Sequence, residues 1–458
     1  QAQDPENQTA EAALLEMRAE ISLLEKQRSG FLDRIRREDP RFFQLVDPGL
    51  VPLQTFQQSL VANAAAVEFF VGEKETYFWV IRRDAVHQGR LGLNREKLNE
   101  LLRLASYNLY SPKSLAPSGD FLKNQRWAGI GTRGLHELFR RLIGPLERYL
   151  GGIQQILIIP DEKLHYLPFE MLVHRWDKTG QPRFLLEKYT ISYVPYAGIV
   201  RSSPVLDRGR AQLSNVLLLG NPDFSEHVLA RRPEPSRYLF QLPYSEQEAR
   251  DIYSLIPTSA LYLGKAATEA KFKENAARFR VLHPSSHNFL DDRQPFYSRL
   301  VFASDPEQHE DGSLYTYEIF NLDLSANLVV LSGCETGLGL LSRGEGIMGL
   351  NRAFLYAGAS SLVVSLWPVG DQHTAQFMAS FYRALWSGAP KSEALREAKL
   401  EMIRDPLSRE PFFWAPFVLR GDAGPVPVVR PRGPLVLGGA LITAAALAVL
   451  AWLYWSRR

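Results

Sequence analysis

Leu14, Met17, Ile21, Leu24, Phe31 and Ile35 recur at spacings of three and four, with Arg28 standing where the next apolar residue is due. That period predicts a helix over 10–38 with one apolar seam. The seam needs a partner, in another helix of this chain or in another chain. Further on the period changes. "AVEFFVGEKETYFWVIRRDAVHQGRL" predicts two or three strands joined by turns, the first at "GEKE". "LHELFRRLIGPLERYL" is amphipathic and helical, "IQQILIIPDEKLHYLPFEML" is a buried strand and a turn, and "YTISYVPYAGIV" is a further strand.

A polar stretch, "LDRGRAQLSN", marks a boundary near 205–214. Beyond it strands and helices alternate. "VLLLGNP" is a strand, "SEQEARDIYSLI" a helix with an S-x-x-E start, "ALYLG" a strand, and "TEAKFKENAARF" a helix opened by Thr268. "RVLH", "LVVLSGC" and "SSLVVSLWPV" are the short apolar runs of strands buried on both faces. The pattern predicts an α/β fold with a mostly parallel sheet flanked by helices. The expected units are a helical region at 1–45, α/β regions at 46–204 and 205–422, and a Pro-rich linker at 423–433.

The last unit, 434–455, is "PLVLGGALITAAALAVLAWLYW", 22 residues without a charge. A run of that length predicts a transmembrane helix, with Trp452, Tyr454 and Trp455 at the interface. Arginines flank both ends, so charge does not orient it. With three residues beyond it, a single-pass C-terminal anchor with the bulk in the cytoplasm is the simplest expectation. The chain opens on Gln; a removed signal peptide, which would reverse that side, and a longer parent chain are both compatible with this.

Composition adds little. The 458 residues are 45% hydrophobic and 22% charged, as in ordinary globular proteins, and the net charge of +3 is too small to imply nucleic acid. The single cysteine excludes an intramolecular disulfide.

That cysteine, Cys334, comes after the strand "LVVLSG", and His287 after the strand that ends in "RVLHPSSH". In open α/β sheets functional groups collect outside the carboxyl ends of strands. A neighbouring imidazole can take a thiol's proton and return it to a leaving amine. His287 precedes Cys334 by 47 residues, close to the caspase order, in which the histidine comes about 50 residues earlier. His283, in the apolar run before Pro284, is the competing base and reads as core. A metal site of His283, His287, Asp291 and Asp292 is disfavoured because Pro284 breaks the helical face it needs. No cofactor is expected.

"LHPSSHNFLDDRQPFYSRLVFA", "LYTYEIFNLDLSANLVVLSGCETGLG", "RGEGIMGLNRAFLYAGASSLVVSLWPVGD" and "FWAPFVLRGD" together resemble the CHAT family. These are caspase-like, separase-related peptidase domains often attached to TPR arrays. "RIRREDPRFFQLVDP", "IIPDEKLHYLPFEML" and "LPYSEQEARDIYSLIP" extend the resemblance over roughly 30–422. It implies a caspase-type catalytic domain at 205–422, a degenerate protease-like region at 46–204, and a TPR-type sensor region or partner upstream. It also implies a catalytic Cys334–His287 dyad cleaving a protein substrate in a regulated response such as bacterial signalling, defence or cell death. "SSHN" stands where the family shows "ATHG", so backbone N–H groups of Asn288 and Cys334 are the expected oxyanion hole. "SLWPVGD" resembles the segment lining the primary pocket, which makes Trp367 and Asp371 substrate-binding candidates; Asp371 capping the next helix is the alternative. The rival to a peptidase is an inactive caspase-like membrane scaffold for protein–protein contact.

Overall fold

The computed structural model describes residues 5–39, 51–107, 126–198, 213–224, 241–291, 294–333, 341–342, 346–347 and 349–427. Helix α1 (Pro5–Glu38) covers the heptad stretch. Its seam is open: Met17, Ile21, Leu24 and Phe31 are 49–59% exposed. The carboxylate of Asp39, just past its end, accepts a hydrogen bond from the Tyr356 hydroxyl.

After α2 (Leu53–Ser59), the alternating run forms an antiparallel meander of β1 (Ala64–Val71), β2 (Thr76–Arg82) and β3 (Val86–Arg90). Helices α3 (Arg95–Tyr107) and α4 (Arg126–Leu142) come next. The helix expected to run through "LHELFRRLIGPLERYL" stops at Leu142 and continues as a 3-10 turn, Gly144–Tyr149. Pro145 explains the break, since its ring clashes with the preceding turn and it has no N–H to donate. Beyond it lie β4 (Gln155–Ile159), a hairpin of β5 (Val173–Trp176) and β6 (Pro182–Phe184), and β7 (Thr190–Tyr193).

The second region opens with β8 (Ser214–Gly220), α5 (Pro243–Leu255), β9 (Ala260–Leu263), α6 (Glu269–Asn275) and β10 (Phe279–Ser285). A small antiparallel sheet of β11 (Asn288–Phe289), β12 (Arg299–Val301) and β13 (Ser313–Tyr315) leads through α7 (Thr316–Ile319) to β14 (Leu328–Leu331). The two-stranded β15 (Leu341–Ser342) and β16 (Gly346–Ile347) precede α8 (Leu350–Tyr356) and β17 (Ser361–Ser365). Helices α9 (Asp371–Ser387), α10 (Lys391–Arg404) and α11 (Pro411–Trp414) and strand β18 (Phe417–Gly421) complete it.

Eleven strands make one sheet in the order β3-β2-β1-β4-β7-β18-β17-β14-β10-β8-β9, which crosses the expected boundary at 204/205. Neighbours are parallel except in the β1–β2–β3 meander and between β17 and β18. The reversal at β17–β18 has a consequence for function. Strands β4, β7 and β18 release their carboxyl ends on one edge, and β8, β10, β14 and β17 release theirs on the other.

One apolar core runs through both regions, from Phe69, Leu138 and Phe169 to Phe272, Phe377 and Trp414. Polar ties cross between them as well. The Lys399 ammonium donates to Glu170 at 2.8 Å, Arg396 donates to the carbonyls of Leu186 and Glu187, and Arg420 donates to that of His165.

The expected single-pass membrane anchor is corrected. Among the described residues no helix is long and apolar enough to cross a membrane. The longest, α1, carries charges throughout, and the buried α9 spans 17 residues, roughly 26 Å at 1.5 Å per residue against a hydrocarbon core of about 30 Å. The apolar stretch 434–455 itself lies outside the described residues.

Candidate functional site

Four loops at one sheet edge build the site, each leaving the carboxyl end of a parallel strand: Asn221–Phe224 after β8, Ser286–Leu290 after β10, Ser332–Gly333 after β14, and Leu366–Gly370 after β17. Two registers decide the geometry. The β10–β14 ladder pairs Val281 with Leu328 and Leu282 with Val329, an offset of 47 in residue number. Contacts past the ladder keep that offset. The Ser332 hydroxyl donates to Ser285 Oγ at 3.1 Å. Gly333 then lies against Ser286 so closely that a Cβ on it would stand 2.3 Å from the Ser286 carbonyl oxygen. No side chain fits there, and glycine is what permits the approach.

His287 is half-buried, with its ring 5.2 Å from that of Phe224 and inclined by 53°. Its carbonyl accepts from the Val301 N–H at 2.9 Å. Asn288 therefore faces Leu300 at a non-hydrogen-bonded position of the β11–β12 ladder, and its own N–H points away from β12. The Asn288 side-chain amide is buried with neither its oxygen nor its nitrogen hydrogen-bonded, and its oxygen lies beside Gly333. Leaving such a group unmade costs on the order of 1–3 kcal/mol. Cys334 lies outside the described residues, one position after Gly333.

The two pocket candidates part company. Trp367 is 1% exposed, with its indole N–H donating to the Phe412 carbonyl at 2.9 Å, so it belongs to the core under this edge. Asp371 is the first residue of α9, yet its carboxylate does not cap that helix. It accepts instead from the N–H of Tyr244 in the first turn of α5, at 2.8 Å, with the Ser245 N–H close enough to act on its charge. Burial pushes the Asp371 carboxyl up to about 6, with the Glu248 charge adding to the rise and the two N–H donors opposing it.

Beneath the edge lies a group that the sequence pattern assigns to core. His283, on β10, is fully buried between two partners: Nε2 is 2.5 Å from Glu248 Oε1 of α5, and Nδ1 is 2.8 Å from the Tyr382 hydroxyl of α9. Burial and the Glu248 charge hold the Tyr382 hydroxyl well above its ordinary range. The S-x-x-E of α5 is used here rather than as a capping box. Ser245 Oγ accepts from the Asn221 N–H at 2.9 Å, and Glu248 reaches His283. A sequence signal does exist, in an S-x-x-E that begins two residues after Pro243, inside the helix it is expected to open.

Elsewhere, carboxylate oxygens of Glu269, Glu310 and Glu318 converge as metal ligands would. The Lys273 ammonium already occupies the middle, 2.7–2.9 Å from all three. That cation fills the place a metal ion would take and offsets part of the cluster's negative charge.

Comparison with known proteins identifies the family and the fold. The chain is 25% identical over 375 residues to mouse (Mus musculus) tetratricopeptide repeat protein 28, an alignment covering 71% of this chain and 15% of that protein. The human (Homo sapiens) counterpart is 25% identical over 346 residues, 65% of this chain and 13% of that protein. The chain thus spans less than a fifth of the length of these relatives. Saccharomyces cerevisiae separase, solved in complex with securin, superposes with a TM-score of 0.53 at 11% identity, over 81% of this chain and 30% of that one. At that identity the likeness is one of fold alone, a large and mostly parallel sheet with helices. A family model described as CHAT domain matches residues 132–422, well over half the chain, and the chain belongs to that family.

Proposed function

We propose that the protein is a cysteine endopeptidase working through Cys334 and His287. The observation that carries this reading is the 47-residue register of β10 and β14, kept at Ser285/Ser332 and Ser286/Gly333. Continued by one residue, the same offset would set Cys334 beside His287, on neighbouring strand ends of a sheet whose strands lie about 4.8 Å apart. The sequence spacing of the dyad and the register of the sheet are the same number.

In the proposed cycle His287 takes the thiol proton of Cys334, and the thiolate attacks the carbonyl carbon of a peptide bond. The N–H groups of Asn288 and Cys334 donate to the oxyanion, each worth roughly 3 kcal/mol in the transition state. His287 returns the proton to the leaving amine as the C–N bond breaks. Water, deprotonated by His287, then attacks the thioester, releasing the acid and regenerating the thiol. Asp371 retains lone pairs beyond its bond from the Tyr244 N–H, and as a carboxylate it would favour a basic side chain before the cut. The 46–204 region would be the non-catalytic half, and the open seam of α1 would be covered by a further helical element of TPR type.

A fluorogenic peptide panel, varied at the residue preceding the scissile bond, tests this. Cleavage is expected for Arg and Lys, abolished in Cys334→Ala and His287→Ala, and stripped of its basic preference in Asp371→Asn. A wild-type chain that cleaves no member of the panel would leave the scaffold reading in its place.

A further inference from the structure

We propose that His283, clamped between Glu248 and Tyr382, is a positioning residue that holds the strand ends carrying His287 and Cys334 in register. The proposal rests on the dyad reading above. Three observations lead to it. His283 and Glu248 are both fully buried, and Glu248 Oε2 has no hydrogen-bond partner, so this polar group is costly where it stands. Its location is specific: His283 lies four residues before His287, and Ser332 lies two before Cys334. Ser332 Oγ sits 3.5 Å from His283 Nε2 while donating to Ser285 Oγ, so the exits of β10 and β14 share a hydroxyl bridge beside the clamped ring.

The clamp also reaches the other two loops of the edge. Helix α5 supplies Glu248 to His283, Ser245 Oγ to the Asn221 N–H after β8, and the Tyr244 N–H to Asp371 after β17. Helix α9 begins at Asp371 and supplies Tyr382 to the opposite side of the ring. The groups facing His283 are therefore Glu248 from α5, Tyr382 from α9 and Ser332 from the β14 exit, with Asp371 electrostatically coupled to Glu248. A carboxylate only accepts, so the Nε2 proton points at Glu248 and fixes the ring plane. Misplacing reacting groups by about 1 Å costs on the order of a hundredfold in rate, which makes such a buttress useful.

The sole cysteine makes the test clean. Iodoacetamide labelling of the full chain is measured against pH in wild type, Glu248→Gln, Tyr382→Phe and Ser332→Ala, with thermal midpoints taken in parallel. The expected result is that wild type labels well below the free-thiol value of about 8.5 and that Glu248→Gln, Tyr382→Phe and Ser332→Ala each move the half-labelling pH up by about one unit. Variants that melt earlier yet keep the wild-type labelling profile would make the clamp merely structural and overturn the inference. A wild type that labels like a free thiol would overturn the dyad itself and the inference with it. Should Glu248→Gln not fold, Ser332→Ala and Tyr382→Phe decide, because each removes one hydroxyl and little volume.

Discussion

His165 shows how far a single buried residue can set the response of this protein to acid. It is 6% exposed, and its Nδ1 is buried without a hydrogen bond. Burial, with help from the Arg420 guanidinium, drives its pKa down to about 3. The unfolded chain protonates this histidine near 6.5 and the folded chain does not, so stability is lost as pH falls through the window from 6.5 toward 3. Asp371 has the opposite sign. Its carboxyl is held at about 6, so the folded chain binds the proton first and gains relative stability as pH falls from 6 toward 4. Half-exposed, it carries a contribution that solvent screens. Urea titrations of wild type and His165→Gln at pH 7 and pH 5 separate the two effects. Wild type should lose about 2 kcal/mol more than the variant across that interval. An equal loss in both would show that His165 titrates as an exposed histidine does.

Among the elements, those with a strong local signal were legible. The apolar runs became β4, β8, β10, β14 and β17, and Thr268 caps α6 by accepting from the Lys271 N–H, as its sequence proposes. Elements held by tertiary contacts were not. β11–β13 are two or three residues each, too short for any period to register, and β18 takes its direction from its neighbours. The site divides in the same way. The proposed dyad, His287 and Cys334, stands out in the sequence, whereas the Glu248–His283 contact joins residues 35 apart through packing that no local pattern encodes. The Glu170–Lys399 pair, 229 residues apart, is the extreme case. Burial lowers the Lys399 pKa while Glu170 opposes that shift, and the Tyr193 hydroxyl also donates to Glu170. Breaking a buried pair strands a charge, so Glu170→Ala should cost about 3–5 kcal/mol. Replacing both partners, Glu170→Leu with Lys399→Met, should cost much less, because no charge is left behind. Urea midpoints of the two variants check this; equal losses would mean that the intact pair stabilises the fold more than its apolar replacement does, and that the stranded charge is not what the single variant loses by.

At the scale of the molecule, the pair bears on whether the two α/β regions fold as one. Strand pairing alone joins them weakly, since β7 and β18 register through one residue pair, Arg420 with Tyr193. The rest of the junction is α10, which places Arg396 on the carbonyls of Leu186 and Glu187 and buries Lys399 on Glu170. Apolar packing runs through the junction without a break, for example at Phe184 against Trp414, ring centroids 5.0 Å apart. Cooperativity is expected where the interface is as buried as the interiors it joins. Native-state hydrogen exchange in rising urea should therefore show peptides from β4 and β14 converging on one opening free energy. Glu170→Ala should lower both by the same amount, although Glu170 lies far in sequence from β14. If β4 peptides lost protection first, with β14 unaffected by the substitution, the regions would be separable folding units. The clamp around His283 would then have to hold the candidate site without support from the first region.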